Sequence, residues 1–566
     1  MALIIFSWIY IFISAHLFGT FVNHSFKLKN GLVVTQFLGF FLITLFTSLY
    51  GIFSGINSLF HVILFLINIG FALYLKDILL EYIGIWKQRI NDLSTFIKIA
   101  FFIITFLIVA KCATAPYLID NEFYYLQTIK WLNEYGFVKG LANIHFFLGQ
   151  TSGWHILQSV FNFEFLYDRF NDLSGYCLWL GNIFALQRLN QFFKKEKTGR
   201  KLLIFGLFPL ANVLYFQFIS APSSDIPVIT ISFIIFWLLL KGNKNPDRST
   251  FITIYLLCFF TLYIKVSTLF LVLIPLFLLI KTYKYCTKIL YPIILFGFCT
   301  LVLLVIKNQV LTGYPFYPLQ VFQIVKADYA LPESIQDLFF RYSKVYAYFI
   351  TFEEYQHMSM LQRFLTWLQL PKLNGLFNKL IMVLFLLIPF VIQKFRNRKI
   401  LYFIYFLGIF QLIILFLTSP QYRFFLVFVL FFLNLATASI FAKKKIIKTI
   451  LIASVVISGI PIFLPINLNS FTKDRFAMPL TTFEFSYLLL PHGNSKTYSN
   501  YKIQKEGNLK YFSPVSSDNI WITGDGPLPT INSEQIKFFK ENFGIVPQLR
   551  TDALEDGFYS KKVNWK

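Results

Sequence analysis

Residues 98–125 read KIAFFIITFLIVAKCATAPYLIDNEFYY. An apolar run over 98–118 ends on Asp120, Glu122 and a group of aromatics. A bilayer span needs about 20 predominantly apolar residues, and this run is long enough. Carboxylates at the mouth of such a helix are costly unless they have a partner or a task. Two of them at i and i+2 share a face if the segment is extended. Low dielectric and a like-charged neighbour then raise one pKa, which suits a general base or a shared metal ligand. The bland alternative is a solvated helix end.

The rest of the chain repeats the apolar pattern. Hydrophobic residues make up 57%, charged residues 14%, and mean hydropathy is +0.63. A soluble domain sits nearer a quarter charged. The expected fold is an all-α polytopic integral membrane protein. Apolar runs near 2–20, 31–50, 56–76, 98–118, 173–191, 202–219, 226–241, 250–264, 266–281, 289–306, 377–393, 400–418, 423–442 and 446–465 predict about 14 transmembrane helices. The run 2–20 is read as a first membrane helix rather than a signal peptide. The abundant Phe is most simply a product of biased base composition. The five cysteines lie in or beside apolar runs with no metal spacing and read as small core residues.

Net charge is +24. The basic residues cluster between the apolar runs, for example Lys194, Lys195, Lys197, Arg200 and Lys201; Lys241, Lys244 and Arg248; Lys281, Lys284 and Lys288; and Lys443, Lys444, Lys445 and Lys448. Interspersed clusters mark cytoplasmic loops and argue against nucleic acid as a partner. With the spans above, every cluster falls on one side and both termini fall on the other, non-cytoplasmic side. The expected organisation is a multi-span domain over 1–466, with outer loops 119–172 and 307–376, and a small outer tail domain over 467–566. The first loop is expected to carry amphipathic helices on the bilayer surface at 124–134 and 154–165. The tail shows a turn at 524–527 and helical periodicity over 533–543.

Further candidates lie on the same predicted face. Lys265 stands alone between apolar stretches, and its ammonium, with Ser267 and Thr268 as extra donors, suits a phosphate. Arg423, in Pro420-Gln421-Tyr422-Arg423-Phe424, can clamp a phosphate or carboxylate through two N–H groups. Asp225, two residues before Pro227, is expected to cap a helix and is counted with the substrate contacts. Tyr124, Tyr125 and Trp131, together with Phe123, offer rings on which a sugar could stack. His145 and His155 lack an HExxH or a Cys partner. The chain carries no Walker A, no GxGxxG in a βαβ setting and no GxSxG.

The early outer acid pair resembles the C-type superfamily of many-span glycosyltransferases. A closer resemblance is to uncharacterised bacterial membrane proteins associated with surface polysaccharides. It rests on the acid-aromatic start, on Trp131-Leu132-Asn133-Glu134-Tyr135-Gly136, Gly140-Leu141-Ala142-Asn143 and Ser152-Gly153-Trp154, and on Lys265-Val266-Ser267. Gly313-Tyr314-Pro315, Pro420-x-x-Arg423-Phe424 and Gly526-Pro527-Leu528-Pro529 extend it over most of the chain. A tail cysteine of that pattern is absent, and Phe146-Phe147-Leu148 replaces a more polar stretch. The resemblance implies a bacterial inner membrane location and a membrane-lipid partner. It also implies sugar transfer from a polyprenyl-phosphate carrier. Asp120 and Glu122 would be catalytic, and Lys265, Arg423, Ser267, Asp225, Tyr124, Tyr125 and Trp131 would bind substrate. A divalent cation is admitted as cofactor, with no ligand set legible. The alternatives are a glycan polymerase or ligase, which relies on arginines rather than an acid base, and a lipid-linked glycan transporter or flippase, which predicts midplane charges and an internal repeat.

Overall fold

A computed structural model describes residues 1–163, 173–194, 199–242, 247–286, 290–319, 321, 327–472, 480–497, 500–515 and 519–563. Lys195, Lys197, Lys244, Lys288, the end of the segment 154–165 and stretches of the loop 307–376 and of the tail lie outside them. Among the described residues eight helices are long and apolar enough to cross a bilayer. They are Ala2–Phe26, Leu32–Tyr50, Thr95–Cys112, Ile293–Thr312, Lys372–Ile392, Arg398–Leu417, Tyr422–Ile440 and Lys444–Phe463. The pair Ser58–Tyr74 and Lys76–Asn91, bent by 81°, makes a ninth if counted as one span. The chain is thus a helical, membrane-embedded protein.

Other expected spans are short or broken. The run 202–219 forms three pieces, Arg200–Gly206, Phe208–Ala211 and Asn212–Tyr215, with Pro209 in the middle one. Proline supplies no N–H to continue the helical ladder. Asn182 and Asn212 compensate inside the bundle by donating to each other's side-chain oxygens at 3.1 and 3.0 Å. The run 250–281 hinges at Lys265, which is extended between Arg248–Ile264 and the 3-10 turn Val266–Val272.

Ala2–Phe26 and Leu32–Tyr50 approach closely because glycine stands at the contact. A Cβ on Gly19 would lie 1.9 Å from the Thr35 carbonyl oxygen, and one on Gly39 1.8 Å from that of Ala15. In lipid, where apolar surface alone does not drive helices together, such close backbone contact is a main source of packing energy. Among the described cysteines, Cys112, Cys177 and Cys258 are buried and Cys299 is exposed.

The tail holds structure the sequence did not announce. Tyr501–Glu506 pairs antiparallel with Leu509–Pro514, and Ile545–Leu549 pairs antiparallel with Phe558–Lys562. The expected helix is present at Ser533–Phe543. Leu509, Tyr511, Val546, Leu549 and Phe558 share one buried cluster with Trp131, Leu132, Leu141 and Leu311, so the tail packs onto both long loops. This corrects the reading of 124–134 as a helix on the bilayer surface. Leu126–Glu134 is mostly buried, including its polar Gln127 and Thr128. Gln127 Nε2 donates to the Gly524 and Gly526 carbonyls at 3.2 and 3.0 Å, and Lys130 pairs with Asp525 at 2.7 Å. Its polar face meets the tail rather than water. A helix that does present apolar residues outward is Met360–Leu368, with Met360, Leu361 and Leu365 exposed.

The glycine contact yields a paired test. Gly39→Ala forces the first two helices apart and should destabilise by about 1–3 kcal/mol, the usual range for overpacking. Gly70, whose Cβ would meet nothing within 4 Å, should accept alanine with unchanged or slightly raised stability. Thermal unfolding of the two variants in detergent checks both.

Candidate functional site

Four helix ends converge on four charges. Thr95–Cys112 leads into the segment carrying Asp120, Asp225 opens the helix Asp225–Lys241, Lys265 follows Arg248–Ile264, and Arg423 lies in the first turn of Tyr422–Ile440. Arg423 Nη1 donates to Asp120 Oδ2 at 2.7 Å across 303 residues of sequence. Lys265 Nζ forms an ion pair with Asp225 Oδ1. The ring of Phe424 ties the pairs together, with Lys265 Nζ 4.5 Å and Arg423 Cζ 5.2 Å from its centroid. Cations over an aromatic face gain from its negative quadrupole, more so when desolvated.

Each charge is set by its local chain. The Arg423 turn is pinned from below, because buried Trp367 donates through Nε1 to the Pro420 carbonyl at 2.8 Å. Arg423 Nε donates to Gln421 Oε1 at 3.0 Å, which fixes the plane of the guanidinium. Lys265 sits where the helix breaks, and Thr268 closes the break by donating from N and Oγ1 to the Lys265 carbonyl at 3.0 and 2.8 Å. Asp225 departs from its expected capping role. It is the first helical residue, where the dipole favours an acid, and its carboxylate turns to Lys265 instead. Ser267 enters through its carbonyl, which accepts from Gln411 Nε2 at 3.0 Å.

The acid pair does not act as one group. Asn121–Tyr125 is a π-helical turn rather than an extended strand, and in a helical turn residues two apart point to nearly opposite sides. Asp120 therefore faces Arg423, while Glu122 points into the tail and is fully buried. The Glu122 carboxyl accepts from the Lys496 N–H at 2.9 Å and Asn121 Nδ2 at 3.1 Å. Its carbonyl accepts from the backbone N–H groups of Thr523 and Gly524 at 3.0 and 2.9 Å. Glu122 thus clasps the tail, on the side away from the Asp120–Arg423 pair.

Ser495 Oγ lies 2.5 Å from Glu122 Oε2 and 2.7 Å from the Thr497 carbonyl. Burial raises the Glu122 pKa against the opposing hydrogen bonds from Ser495, Lys496, Asn121 and Thr497.

The aromatics divide. Tyr124 stacks on Phe147 at 5.5 Å, and Tyr125 packs on His155 at 4.7 Å, beside the charges. Trp131 is 1% exposed and packs edge-on to Phe558 at 5.6 Å, so it has no face to offer a sugar. His155 is buried, its basicity pushed down to about 3, and His145 likewise to about 4. His145 Nε2 lies 3.1 Å from the Trp521 carbonyl. Among the described residues no group of three His, Cys, Asp or Glu side chains is arranged to hold a metal ion.

Residues 1–430 match the domain of unknown function DUF8201. The chain belongs to that family. No curated protein and no solved structure matches it. The DUF8201 match includes Asp120, Asp225, Lys265 and Arg423 and stops before the tail that clasps Glu122.

The clasp has a pH signature. Glu122 holds its proton more tightly in the folded chain than an exposed carboxyl near 4.5 does. Its contribution is therefore full below that value and is lost as pH rises through the folded pKa. The melting temperature of the wild type, relative to Glu122→Gln, should fall as pH is raised from about 4 to about 8. A difference that rises over that interval means that the folded chain prefers the carboxylate.

Proposed function

We propose that this chain is a glycosyltransferase-like enzyme of surface-glycan assembly, acting on sugars carried by a lipid phosphate at the outer face of a bacterial inner membrane. The observation that carries the reading is the Asp120–Arg423 pair, joined to Lys265–Asp225 across the Phe424 ring. In this reading the span order and basic loops place the site and the tail 467–566 outside, with about 14 spans when the short helices are included.

The roles follow from accessibility and donor supply. Asp120 keeps 17% of its side chain exposed and is the one carboxylate of the four-charge group with an open edge, since Asp225 is at 4%. It would accept the proton of an acceptor hydroxyl as that oxygen bonds to the sugar's anomeric carbon. The bond from that carbon to the phosphate oxygen breaks, and the phosphate leaves with the electron pair. Arg423, with Nε and Nη1 engaged, would keep Nη2 for the charge that develops on the leaving group. Lys265 has three N–H groups, of which Asp225 takes one. Tyr124, stacked on Phe147, would border the sugar ring.

Replacing the base is the direct test. Asp120→Asn, present at wild-type membrane levels, should lose about 10²–10⁴-fold in transfer and leave a truncated surface glycan. An unchanged glycan removes the transferase reading. Intact transfer that is lost instead in Arg423→Gln points to the polymerase or ligase class.

A further inference from the structure

The helices Thr95–Cys112 and Lys444–Phe463 lie side by side with a groove between them. Lys448 Nζ sits 5.2 Å from the centroid of the Phe96 ring near their starts, and Phe106 stacks on Phe463 at 6.1 Å near their ends, so the two run in the same direction. The groove encloses about 300 Å³, at the low end for a small-molecule pocket, and no lining side chain is polar. Its floor is Ala100, Leu107 and Leu451, all buried, and its rims are Ile99, Ile452 and Val456, each more than half exposed. Gly459 keeps the deep end open, since a Cβ there would lie 3.6 Å from Leu107 Cδ2.

Depth and charge say what fits. From Phe96 to Leu107 the groove rises about 16 Å. That is about half of the ~30 Å of bilayer hydrocarbon, the depth of one leaflet, and the Phe106–Phe463 stack closes it there. A spanning helix of a second copy would need the full depth. The mouth is basic. Lys444, Lys445 and Lys448 are exposed and Lys98 is half-buried, and neither helix has an acid in its first turn. Among the described residues none of these four lysines is in an ion pair. The Phe96 and Phe193 rings hold the Lys448 ammonium at the mouth, 5.2 and 5.6 Å from their centroids, and leave its N–H groups for another partner. Lys444 and Lys448 stand one turn apart, above Ile452, Val456 and Gly459 at the same spacing.

We propose that the groove binds an anionic phospholipid, with one acyl chain between the helices and the headgroup on Lys448, Lys444 and Lys98. Hydrocarbon covers an apolar groove whatever headgroup carries it, so the lysines decide which lipid stays. The site lies at the end of Thr95–Cys112 opposite to the one that leads to Asp120. It is therefore separate from the four-charge group and does not rest on the proposed function.

The test is native mass spectrometry of the full chain in detergent with equal amounts of phosphatidylglycerol and phosphatidylcholine. The wild type should appear as a monomer that retains one phosphatidylglycerol in preference to phosphatidylcholine. Lys448→Gln should weaken that retention about fivefold, the worth of one cation near a lipid phosphate, and Lys448→Arg should restore it. Gly459→Leu fills the deep end and should abolish it, whereas Gly70→Leu, on an exposed helix face, should leave it intact. Lys399→Gln, at the exposed start of another span, should also leave it intact. The proposal is overturned if the wild type shows no preference, or if Gly459→Leu retains the lipid. It is equally overturned if Lys399→Gln costs as much as Lys448→Gln, which makes the preference a property of the whole basic face. A dimer that Gly459→Leu dissociates also overturns it and gives the groove to a second copy.

Discussion

The ion pair between Arg423 and Asp120 sets the terms for the rest of the structure. A charge in a largely apolar body is tolerated when an opposite charge and further hydrogen bonds accompany it. Forming this pair brings the chain after the helix Thr95–Cys112 against the first turn of Tyr422–Ile440, two regions 303 residues apart. Lys265 and Asp225 repeat the arrangement from two other helices. Because each pair joins different helices, the charges help to position the helix ends above the apolar packing. The Phe424 ring then lets two cations sit close together without a third carboxylate between them.

A second polar system runs at right angles to this one in purpose. Glu122, two residues from Asp120, faces away and holds the tail through both its carboxyl and its carbonyl. Gln127 and Lys130, one turn further, add donors to the same tail loop. The short segment 120–130 therefore serves the charged group on one side and the tail on the other. The π-helical turn at Asn121–Tyr125 makes the division possible, since it sets neighbouring acids on different faces.

Much of this was legible, and the reasons differ residue by residue. Asp120, Lys265 and Arg423 stand out because a charge at the edge of an apolar run is conspicuous in any reading, and the structure brings them together. Their partners were harder. Asp225 sat two residues before a proline and looked like a helix cap, because a sequence shows the helix start but not what lies across from it. Glu122 was read as sharing a face with Asp120, an inference that holds for extended backbone and fails for a helical turn. Trp131 has the composition of a stacking platform, but whether a ring faces a ligand or Phe558 depends on a tail more than 400 residues later. Broken spans such as 202–219 were legible as apolar but not as interrupted, although Pro209 was the available signal.

The Glu122 clasp also imposes an order in time. The donors that hold it, at Lys496, Thr523 and Gly524, are synthesised hundreds of residues after Glu122 itself. A nascent chain already inserted through Tyr422–Ile440 possesses all four charges but lacks the contacts that fix the turn between Asp120 and Tyr125. Until the tail is made and seated, Glu122 lacks those donors and the burial the tail gives it, and the turn can rearrange. A segment made long after the first loop is thus the one that completes it, so a chain lacking the tail would carry the charges without the geometry.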